Sequence, residues 1–279
     1  MDDSIATVIN FSTNEARFLG QCIAEALRFS SQVIAVVCDH FFDGTPEDAE
    51  MLEAIYAAHP ACEFIEFAYS SKNIYSGCHW HNWGRLLGYH FLQEKIDKVL
   101  FLDVDEIVDG ERFKQWTRRR ECAAQRLACY WYFREASLRA RAWEDTPLLI
   151  QRDAVTHQGL MHPSERMGLY LNAPGRKERM VVSSDGKPLV HHYSWVRSKE
   201  EMLRKVRSWG HASDRNWVEL VEQEFNGPFS GRDFVHGYTY NEVPSQLVET
   251  RYAKGSRGLV RRLSTRDMHK IELSLRFRA

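Results

Sequence analysis

The sequence contains no long apolar run and no basic segment followed by an apolar one. A membrane-spanning helix needs about 20 predominantly apolar residues, and a secretory signal needs a charged segment followed by an apolar one. A strong excess of one charge is also missing, since 37 Lys and Arg residues accompany 38 Asp and Glu residues. We therefore expect a soluble, cytoplasmic protein, which leaves room for peripheral contact with the inner face of a membrane.

The six cysteines include no C-x-x-C pair. Such pairs are typical of zinc sites and redox-active dithiols, whereas several cysteines here lie in apolar runs, where a thiol packs as a small hydrophobic group. We expect all six to be reduced and structural. The sequence also lacks internal repeats and low-complexity segments, and 279 residues are enough for one domain with elaborations or an appendage.

Basic residues concentrate at the end of the chain, where nine Lys and Arg residues stand against three Asp and Glu residues from Gln246 onward. We predict a main domain over residues 1–245 and a basic, helical segment over residues 246–279. That segment either lies on an anionic membrane surface or packs on the main domain with its charges in solvent. We expect no nucleic-acid partner, because the main domain is acidic and contains no recognised binding module.

Apolar runs alternate with helical patterns over the first 110 residues. Strands are predicted over residues 5–11, 33–37, 62–68 and 99–102. Helices are predicted after a capping box at Ser12–Glu15, from Pro46 through Tyr56, and over residues 80–94. This alternation is typical of a mostly parallel, doubly wound sheet.

The pattern changes after Gly110. Further strands are predicted over residues 126–133, 146–150 and 189–195. Residues 159–185 are rich in Gly, Pro and charge, which favours loops that cover a substrate. A second capping box, Ser198–Glu201, opens a helix.

Three carboxylates end the fourth predicted strand. Asp103, Asp105 and Glu106 follow the apolar run directly, and ligands of open α/β sheets collect at the carboxyl ends of the strands. Alternation places Asp103 and Asp105 on the same side of the chain. Carboxylates this close repel each other unless a proton or cation lies between them, and Mg²⁺ and Mn²⁺ prefer such oxygen ligands. The alternative is a solvated acidic turn after a core strand.

The order and spacing of these features resemble glycosyltransferases of the GT-A fold, most closely family 2 and its relatives. The resemblance rests on Asn14-Glu15 after the first strand, Asp39 at the end of the second and the Asp-x-Asp-Glu motif after the fourth, and more weakly on residues 192–197. It implies an α/β GT-A catalytic domain with C-terminal helices.

By this resemblance, Asp39 accepts a hydrogen bond from the base of a nucleoside diphosphate, and Phe11 and Asn14 line the nucleoside pocket. The alternative for Asp39 is a turn or cap residue. His40, Phe41 and Phe42 follow it, where family 2 commonly has a second acidic or small polar residue. The base is therefore left open, with uracil favoured.

The resemblance also implies the metal site. Asp105 would bind Mn²⁺ or Mg²⁺ directly, and Asp103 would reach the metal through water or contact the ribose. Glu106 would bind the metal, orient the loop or be solvated. Neighbouring residues on a strand face opposite ways, so at most one of His191 and His192 can be a third ligand, and we favour His192 over a hydrogen-bonded core histidine.

Further site residues are predicted around this centre. Arg85 would face the sugar nucleotide, unless it is an exposed helix arginine. An inverting transfer needs a general base, for which the candidates are Glu165 and the pair Glu144 and Asp145, with Asp145 favoured. Trp131, Trp143 and Trp195 are candidates for sugar stacking, although large aromatics more often lie in the core.

The sequence thus predicts a metal-dependent glycosyltransferase of the hexosyltransferase kind. It would move a sugar from a nucleotide donor, UDP-linked by preference, to a hydroxyl of a glycan, lipid-linked or protein acceptor, as in polysaccharide biosynthesis. The alternatives are a haloacid-dehalogenase-like phosphohydrolase, a sugar nucleotidyltransferase and a catalytically silent nucleotide- or glycan-binding adaptor. A nucleotidyltransferase would carry a Gly-rich, basic loop after the first strand, whereas residues 10–17 hold one basic residue and no glycine.

Overall fold

The computed structural model describes residues 3–70, 77–117, 122–208, 214–253 and 258–276. Its first four strands are parallel neighbours in the order β3-β2-β1-β4: β1 (Ile5–Asn10), β2 (Gln32–Cys38), β3 (Glu63–Phe67) and β4 (Lys98–Asp103). The helices that connect them are α1 (Ala16–Ala26), α2 (Ala49–Ala58) and α3 (Gly77–His90). The predicted doubly wound α/β fold is therefore confirmed.

The rest of the described chain extends this sheet and builds a second one. The later strands are β5 (Glu106–Val108), β6 (Ala124–Leu127), β7 (Cys129–Phe133), β8 (Glu135–Glu144), β9 (Leu148–Gln151), β10 (Lys177–Val181), β11 (Val190–Trp195), β12 (Tyr240–Glu242) and β13 (Arg261–Leu263). The later helices are α4 (Gly110–Thr117), α5 (His157–Leu160), α6 (Glu165–Asn172), α7 (Lys199–Ser208), α8 (Trp217–Glu224) and α9 (Thr265–Arg276). The sheet orders are β10-β6-β9-β4-β1-β2-β3-β13 and β12-β8-β7-β11-β5.

The two sheets meet at the acidic motif. Strand β5 begins at Glu106, three residues after the end of β4, and pairs antiparallel with β11 so that His192 lies opposite Glu106. The backbone N–H of Tyr193 also donates to the carbonyl oxygen of Asp105 at 2.8 Å. The end of β4 is therefore flanked by β11, which brings residues nearly 90 positions later in the chain beside the carboxylates.

Helix α3 lies unusually close to β1, and two glycines permit the approach. A Cβ atom on Gly88 would lie 2.3 Å from Cγ1 of Val8, and one on Gly84 would lie 2.4 Å from Oδ1 of Asn10. Neither distance is compatible with a side chain unless the neighbour moves. The helix that carries Arg85 is thereby held directly over the carboxyl end of β1.

Two predictions about helix starts are wrong. Helix α2 begins at Ala49, with Asp48 as its N-cap, because Pro46 instead bridges back to His40. The Ser12 capping box does not form, since the Ser12 hydroxyl accepts from the N–H of Asn14. The Glu15 carboxylate that should complete the box instead forms ion pairs with Arg197 and Lys205. Tertiary contacts therefore override the local motif.

Other predictions differ in the second half of the chain. The strand predicted over residues 126–133 is two strands, and the stretch predicted as loops contains α6 and β10. The long strand β8 was not predicted. The second capping box is confirmed, since the N–H of Ser198 donates to Glu201 at 2.8 Å and the N–H of Glu201 donates back to the Ser198 hydroxyl at 3.3 Å.

The C-terminal segment continues the larger sheet. Strand β13 pairs with β3, and α9 buries Met268, Ile271 and Leu275 in a core cluster shared with α3. The division at residue 245 and the membrane contact both stay predictions. None of the helices in the described ranges combines the length and the apolar character that crossing a membrane requires. All six cysteines are free thiols.

Candidate functional site

A cavity of about 620 Å³ opens at the carboxyl ends of β1, β2 and β4. One wall comes from the strand ends, and the other comes from β7, β11 and α7. Of the nine residues favoured for the site, six line it: Phe11, Asn14, Asp103, Asp105, Glu165 and His192. The other three, Asp39, Arg85 and Asp145, lie outside the lining.

Asp103 and Glu106 are held by arginines. One oxygen of Asp103 lies 3.2 Å from Arg85 and the other 2.8 Å from Arg166. Arg166 also binds both oxygens of Glu106, which is fully buried and accepts from the backbone N–H of Asp103 at 2.9 Å. Burial opposes ionisation of Asp103, but Arg166 and Arg85 hold its pKa below the usual range. Of the three roles open to Glu106, this geometry favours orienting the loop.

Asp105 faces the cavity with different partners. Its Oδ1 lies 3.5 Å from Nε2 of His192, and its Oδ2 lies 3.4 Å from Nζ of Lys205 and 3.9 Å from Arg197. Burial opposes ionisation here too, yet Lys205 and His192 hold the pKa of Asp105 well below its usual range. Burial likewise opposes the charged form of His192, but the hydrogen bond to Asp105 raises the pKa of that imidazole. His192 therefore lies beside Asp105, and its role as a metal ligand stays a prediction.

The donor set suits a divalent cation completed by ligands from outside the protein. Within the described ranges no three His, Cys, Asp or Glu side chains are grouped to hold a metal ion, so Asp105 and His192 are the protein ligands that this wall offers. Mg²⁺ and Mn²⁺ are commonly held by one or two protein ligands together with water and phosphate oxygens.

The charge of the site also favours a cation. Five carboxylates, Glu15, Asp103, Asp105, Glu106 and Glu165, form ion pairs with four side chains, Arg85, Arg166, Arg197 and Lys205. The fifth carboxylate is balanced only by protonated His192. Because an imidazole must lose its proton to bind a metal, a divalent cation here would take the place of that charge. The residues present therefore fit a divalent metal.

The end of the cavity near β1 and β2 contains a carboxyl group that the sequence did not indicate. Glu47 lines the cavity and accepts from the backbone N–H of Thr13 at 3.0 Å, and burial raises its pKa to about 7. Asp39, by contrast, uses its Oδ1 to accept from the N–H of Tyr69 at 2.7 Å and to contact His40 at 2.8 Å. The predicted base-reading residue thus also ties the end of β2 to the chain after β3.

Arg85 is buried beneath the acidic motif and is not an exposed helix residue. Its Nη2 lies 2.8 Å from Glu165 as well as 3.2 Å from Asp103, and its exposed fraction is 2%. Burial would raise the pKa of Glu165, but Arg85 and His81 hold it well below the usual range. A carboxylate stabilised in this way is a weak proton acceptor, so Glu165 suits a structural role better than that of a base.

A different carboxylate faces the cavity from the end of β8. Glu144 lines the wall, lies 3.1 Å from Nε2 of His236 and accepts from the hydroxyl of Tyr238 at 3.3 Å. Burial raises its pKa, against the effects of His192 and His236. Its neighbour Asp145 points away from the lining.

Asp145 is instead paired with Arg179 at 2.8 Å and Arg126 at 3.3 Å. These arginines outweigh the effect of burial and lower its pKa. Of the two adjacent carboxylates, Glu144 has the location and the basicity that a general base needs.

The three tryptophans predicted to stack on sugars also differ in whether they line the cavity. Trp131 and Trp195 line the cavity, whereas Trp143 lies outside the lining and is 40% exposed. The Trp131 ring contacts both His192 and His236, with ring centroids 4.9 and 5.0 Å apart. It therefore connects the acidic centre with the Glu144 end of the cavity.

Several lining residues were missed by sequence reasoning, among them Glu47, Arg166, Lys205 and His236. Lys205 carried a usable signal, because it lies three residues after Met202 and one before Val206, on the inward side of the predicted helix. A lysine at such a position requires a buried partner. Glu47, Arg166 and His236 lie in segments whose local pattern marks no site.

No protein-family model matches the sequence, and no curated protein is significantly similar to it. Solved structures do resemble the fold. One is glucosyl-3-phosphoglycerate synthase from Mycobacterium tuberculosis in complex with Mn²⁺, UDP and phosphoglyceric acid, with 14% identity, coverage of 90% of each chain and a TM-score of 0.37. Another is the catalytic domain of Drosophila β1,4-galactosyltransferase 7 with xylobiose, with 11% identity, coverage of 81% of this chain and 82% of that chain, and a TM-score of 0.37.

A nucleotidyltransferase is similar to the same degree. It is 4-diphosphocytidyl-2C-methyl-D-erythritol synthase from Anaerococcus prevotii, with 10% identity, coverage of 74% of this chain and 96% of that chain, and a TM-score of 0.41. The likeness is distant, and the function argued below rests on the residues of the cavity.

Proposed function

We propose that the protein is a glycosyltransferase that moves a sugar from a nucleoside-diphosphate donor to an acceptor hydroxyl. One observation carries the proposal: Asp105 and Glu144 line the same cavity and are connected by contacts through His192, Trp131 and His236. The first suits a cation that accompanies a diphosphate, and the second suits a base that accepts the proton of an attacking hydroxyl.

The donor lies at the strand ends in this proposal. The nucleoside occupies the wall formed by Phe11, Asn14 and Glu47, with a uracil base favoured. Asp105 and His192 hold Mn²⁺ or Mg²⁺, and the bound metal would neutralise charge on the departing nucleoside diphosphate. The guanidinium of Arg166 holds Asp103 ionised at the edge of this region, where it can accept from a ribose hydroxyl.

The acceptor occupies the opposite end, beside Glu144. Its hydroxyl attacks the anomeric carbon from the face opposite the diphosphate, Glu144 takes the proton, and the configuration is inverted. Burial raises the pKa of Glu144 and thereby strengthens it as a base. The cavity walls at this end include Trp131, Trp195 and Trp217, which suits a glycan, lipid-linked or protein-bound acceptor.

The ion pairs weigh against the phosphohydrolase alternative. Asp103 would be the nucleophile there, but both of its oxygens are bound to guanidinium groups, which lowers the basicity of the carboxylate and hence its nucleophilicity. A catalytically silent adaptor would have no need of a cavity carboxylate with a raised pKa, such as Glu144.

Calorimetric titration of UDP and GDP, with and without Mn²⁺, tests the proposal. We expect Mn²⁺-dependent binding of UDP with micromolar affinity, about −8 kcal/mol. In Asp105→Asn, Mn²⁺ should no longer strengthen the binding of UDP. The circular dichroism spectrum should stay unchanged, because the carboxylate lies beyond the core of β4. Asp153→Asn is the matched control, because Asp153 is exposed and lies outside the cavity lining. Failure of the wild type to bind either nucleotide in the presence of Mn²⁺ would refute the proposal.

A further inference from the structure

The ammonium group of Lys205 is surrounded by three oxygen atoms. Its Nζ lies 2.9 Å from Oε1 of Glu15, 2.9 Å from Oγ of Ser194 and 3.4 Å from Oδ2 of Asp105. These atoms come from three separate segments, namely the turn before α1, strand β11 and the end of β4. The Lys205 side chain is 10% exposed and lines the cavity.

This cluster has the features of a cation site that is filled by the protein itself. Two of the three oxygens belong to carboxylates, and Asp105 is the residue whose other oxygen lies beside His192. A divalent cation on Asp105 would meet the positive charge of Lys205 within a few ångströms. Two cations so close repel each other strongly in a buried site, so the Lys205–Asp105 contact and metal binding compete.

We propose that Lys205 is a built-in placeholder for the divalent cation and becomes a ligand of the donor diphosphate once the metal arrives. This inference rests on the proposed function. In the donor-free protein the ammonium neutralises Asp105. When the metal takes over that carboxylate, Lys205 turns on its flexible stem, keeps its contact with Glu15 or Ser194, and presents its N–H groups to the phosphate oxygens.

The geometry of α7 permits this exchange. A lysine carries its charge on a four-carbon stem with three rotatable donors, so the ammonium can change partners while the helix stays in place. Arg197 cannot substitute for it, because its guanidinium is held by the carbonyl oxygens of Ser194 and Asn14 and by Glu15. Lys205 is therefore the adaptable cation at Asp105.

The exchange predicts effects of opposite sign on two ligands. Lys205 competes with the metal when the metal is alone, and it assists the diphosphate when both are present. Removal of the ammonium should therefore tighten metal binding and weaken nucleotide binding. A side chain with a merely structural role would weaken both, because its loss would loosen the cavity as a whole.

The test is calorimetry on Lys205→Met, with Mn²⁺ alone and with UDP at saturating Mn²⁺. We expect Mn²⁺ to bind the variant at least about fivefold more tightly than the wild type, and UDP to bind at least about tenfold more weakly. The matched control is Lys199→Met on the same helix, whose ammonium pairs with Glu222 at 2.5 Å outside the cavity lining. It should change neither affinity.

A measurement on the wild type covers the case in which the variant does not fold. Lys205 is acetylated with a small amine-reactive reagent, acetic anhydride, and the labelling is followed by mass spectrometry. The reaction should become faster when Mn²⁺ is added and slow again when UDP follows. Suppose that the wild type binds both Mn²⁺ and UDP. The placeholder role is then refuted, and the proposed function stands, if Mn²⁺ leaves the labelling rate of Lys205 unchanged. The same holds if Mn²⁺ binds the folded Lys205→Met variant no more tightly than it binds the wild type. If the wild type binds neither ligand, the proposed function itself fails.

Discussion

Adjacent residues in this protein occupy sharply different electrostatic environments, and Glu144 and Asp145 show it most clearly. The first is partly exposed beside His236 and Tyr238, where desolvation raises its pKa, and the second is buried and paired with Arg126 and Arg179, which lower its pKa. At the scale of single residues, location and partners decide which carboxylate can accept a proton near neutral pH.

Substitution of these two neighbours distinguishes their roles. Glu144→Gln should lower kcat about 10²–10⁴-fold because it removes the base, while the affinity for UDP stays within a factor of about two. Asp145→Asn should lower chiefly the free energy of unfolding, since it leaves two arginines without their carboxylate. Steady-state kinetics and urea unfolding of both variants check this. A larger loss of kcat in Asp145→Asn would return the role of base to that residue.

Glu47 makes stability depend on pH. Its pKa is about 7 in the folded protein, above the usual value of 4.5. The folded state therefore holds a proton that the unfolded chain has released, and the free energy of unfolding falls as the pH rises from about 4.5 to about 7.

Glu47→Gln removes this titration. Relative to the wild type, its free energy of unfolding should increase by about 2 kcal/mol between about pH 5 and about pH 8. Urea unfolding at the two pH values measures the difference, with exposed Glu111→Gln as the control. A difference between variant and wild type that does not change with pH would show that Glu47 has no raised pKa.

At the scale of elements, the contact of α3 with β1 positions Arg85 and Asn10, and it depends on the absence of side chains at Gly84 and Gly88. Alanine is favoured over glycine in a helix by about 1 kcal/mol, so a loosely packed α3 would be stabilised by Gly→Ala substitution. The structure predicts the opposite, because the added methyl group has no space.

Gly88→Ala should lower the free energy of unfolding by about 1–3 kcal/mol, since its Cβ would lie 2.3 Å from a methyl group of buried Val8. Gly227→Ala is the control, because nothing lies within 4 Å of its added Cβ, and it should change stability by less than about 0.5 kcal/mol. Chemical denaturation of both variants measures this, and a stabilised Gly88→Ala would show that α3 lies farther from the sheet.

The same contacts explain what the sequence could predict. Strands β1, β2 and β4 are buried and largely apolar, so their own composition marks them. The carboxylates at the end of β4 follow from where that run stops. Strand β8 alternates weakly and is partly exposed, which leaves little local signal. The start of α2 depends on the bridge between His40 and Pro46, a contact that no helix motif records.

The candidate site was predictable only in part, for a related reason. Asp103 and Asp105 lie at a strand end, whose location follows from the fold class, and His192 lies within a strand that the sequence predicted. Their partners Arg166 and Lys205 come from helices 60 and 100 residues away in the sequence, and one sequence contains no record of such pairings. The geometry that selects Glu144 over Asp145 depends on the side-chain direction in a strand that was itself not predicted.

At the scale of the whole molecule, the C-terminal segment completes the core. Helix α9 buries Met268, Ile271 and Leu275 in the cluster beneath α3. These are three of the apolar residues that a membrane-bound helix would need on its surface, whereas Leu259 and Leu273 of the same segment are exposed.

Ile271→Ala should therefore lower the free energy of unfolding of the entire protein by about 2 kcal/mol or more. Exposed Lys270→Ala on the same helix should change it by less than about 0.5 kcal/mol. Urea unfolding followed by tryptophan fluorescence measures both, and an Ile271→Ala variant as stable as the wild type would show that α9 is a separate appendage.

The ion pairs around the acidic motif also set an order of events during synthesis. The carboxylates of Asp103, Asp105 and Glu106 leave the ribosome 60 residues before Arg166 and about 100 residues before Lys205. Of its arginine partners only Arg85 has already been made. At roughly 5–20 residues per second, the strand end waits several seconds for Arg166, and carboxylates without partners are costly to bury. We expect the nascent first half to keep this strand end hydrated, so that the donor end of the cavity closes only after α7 has been made.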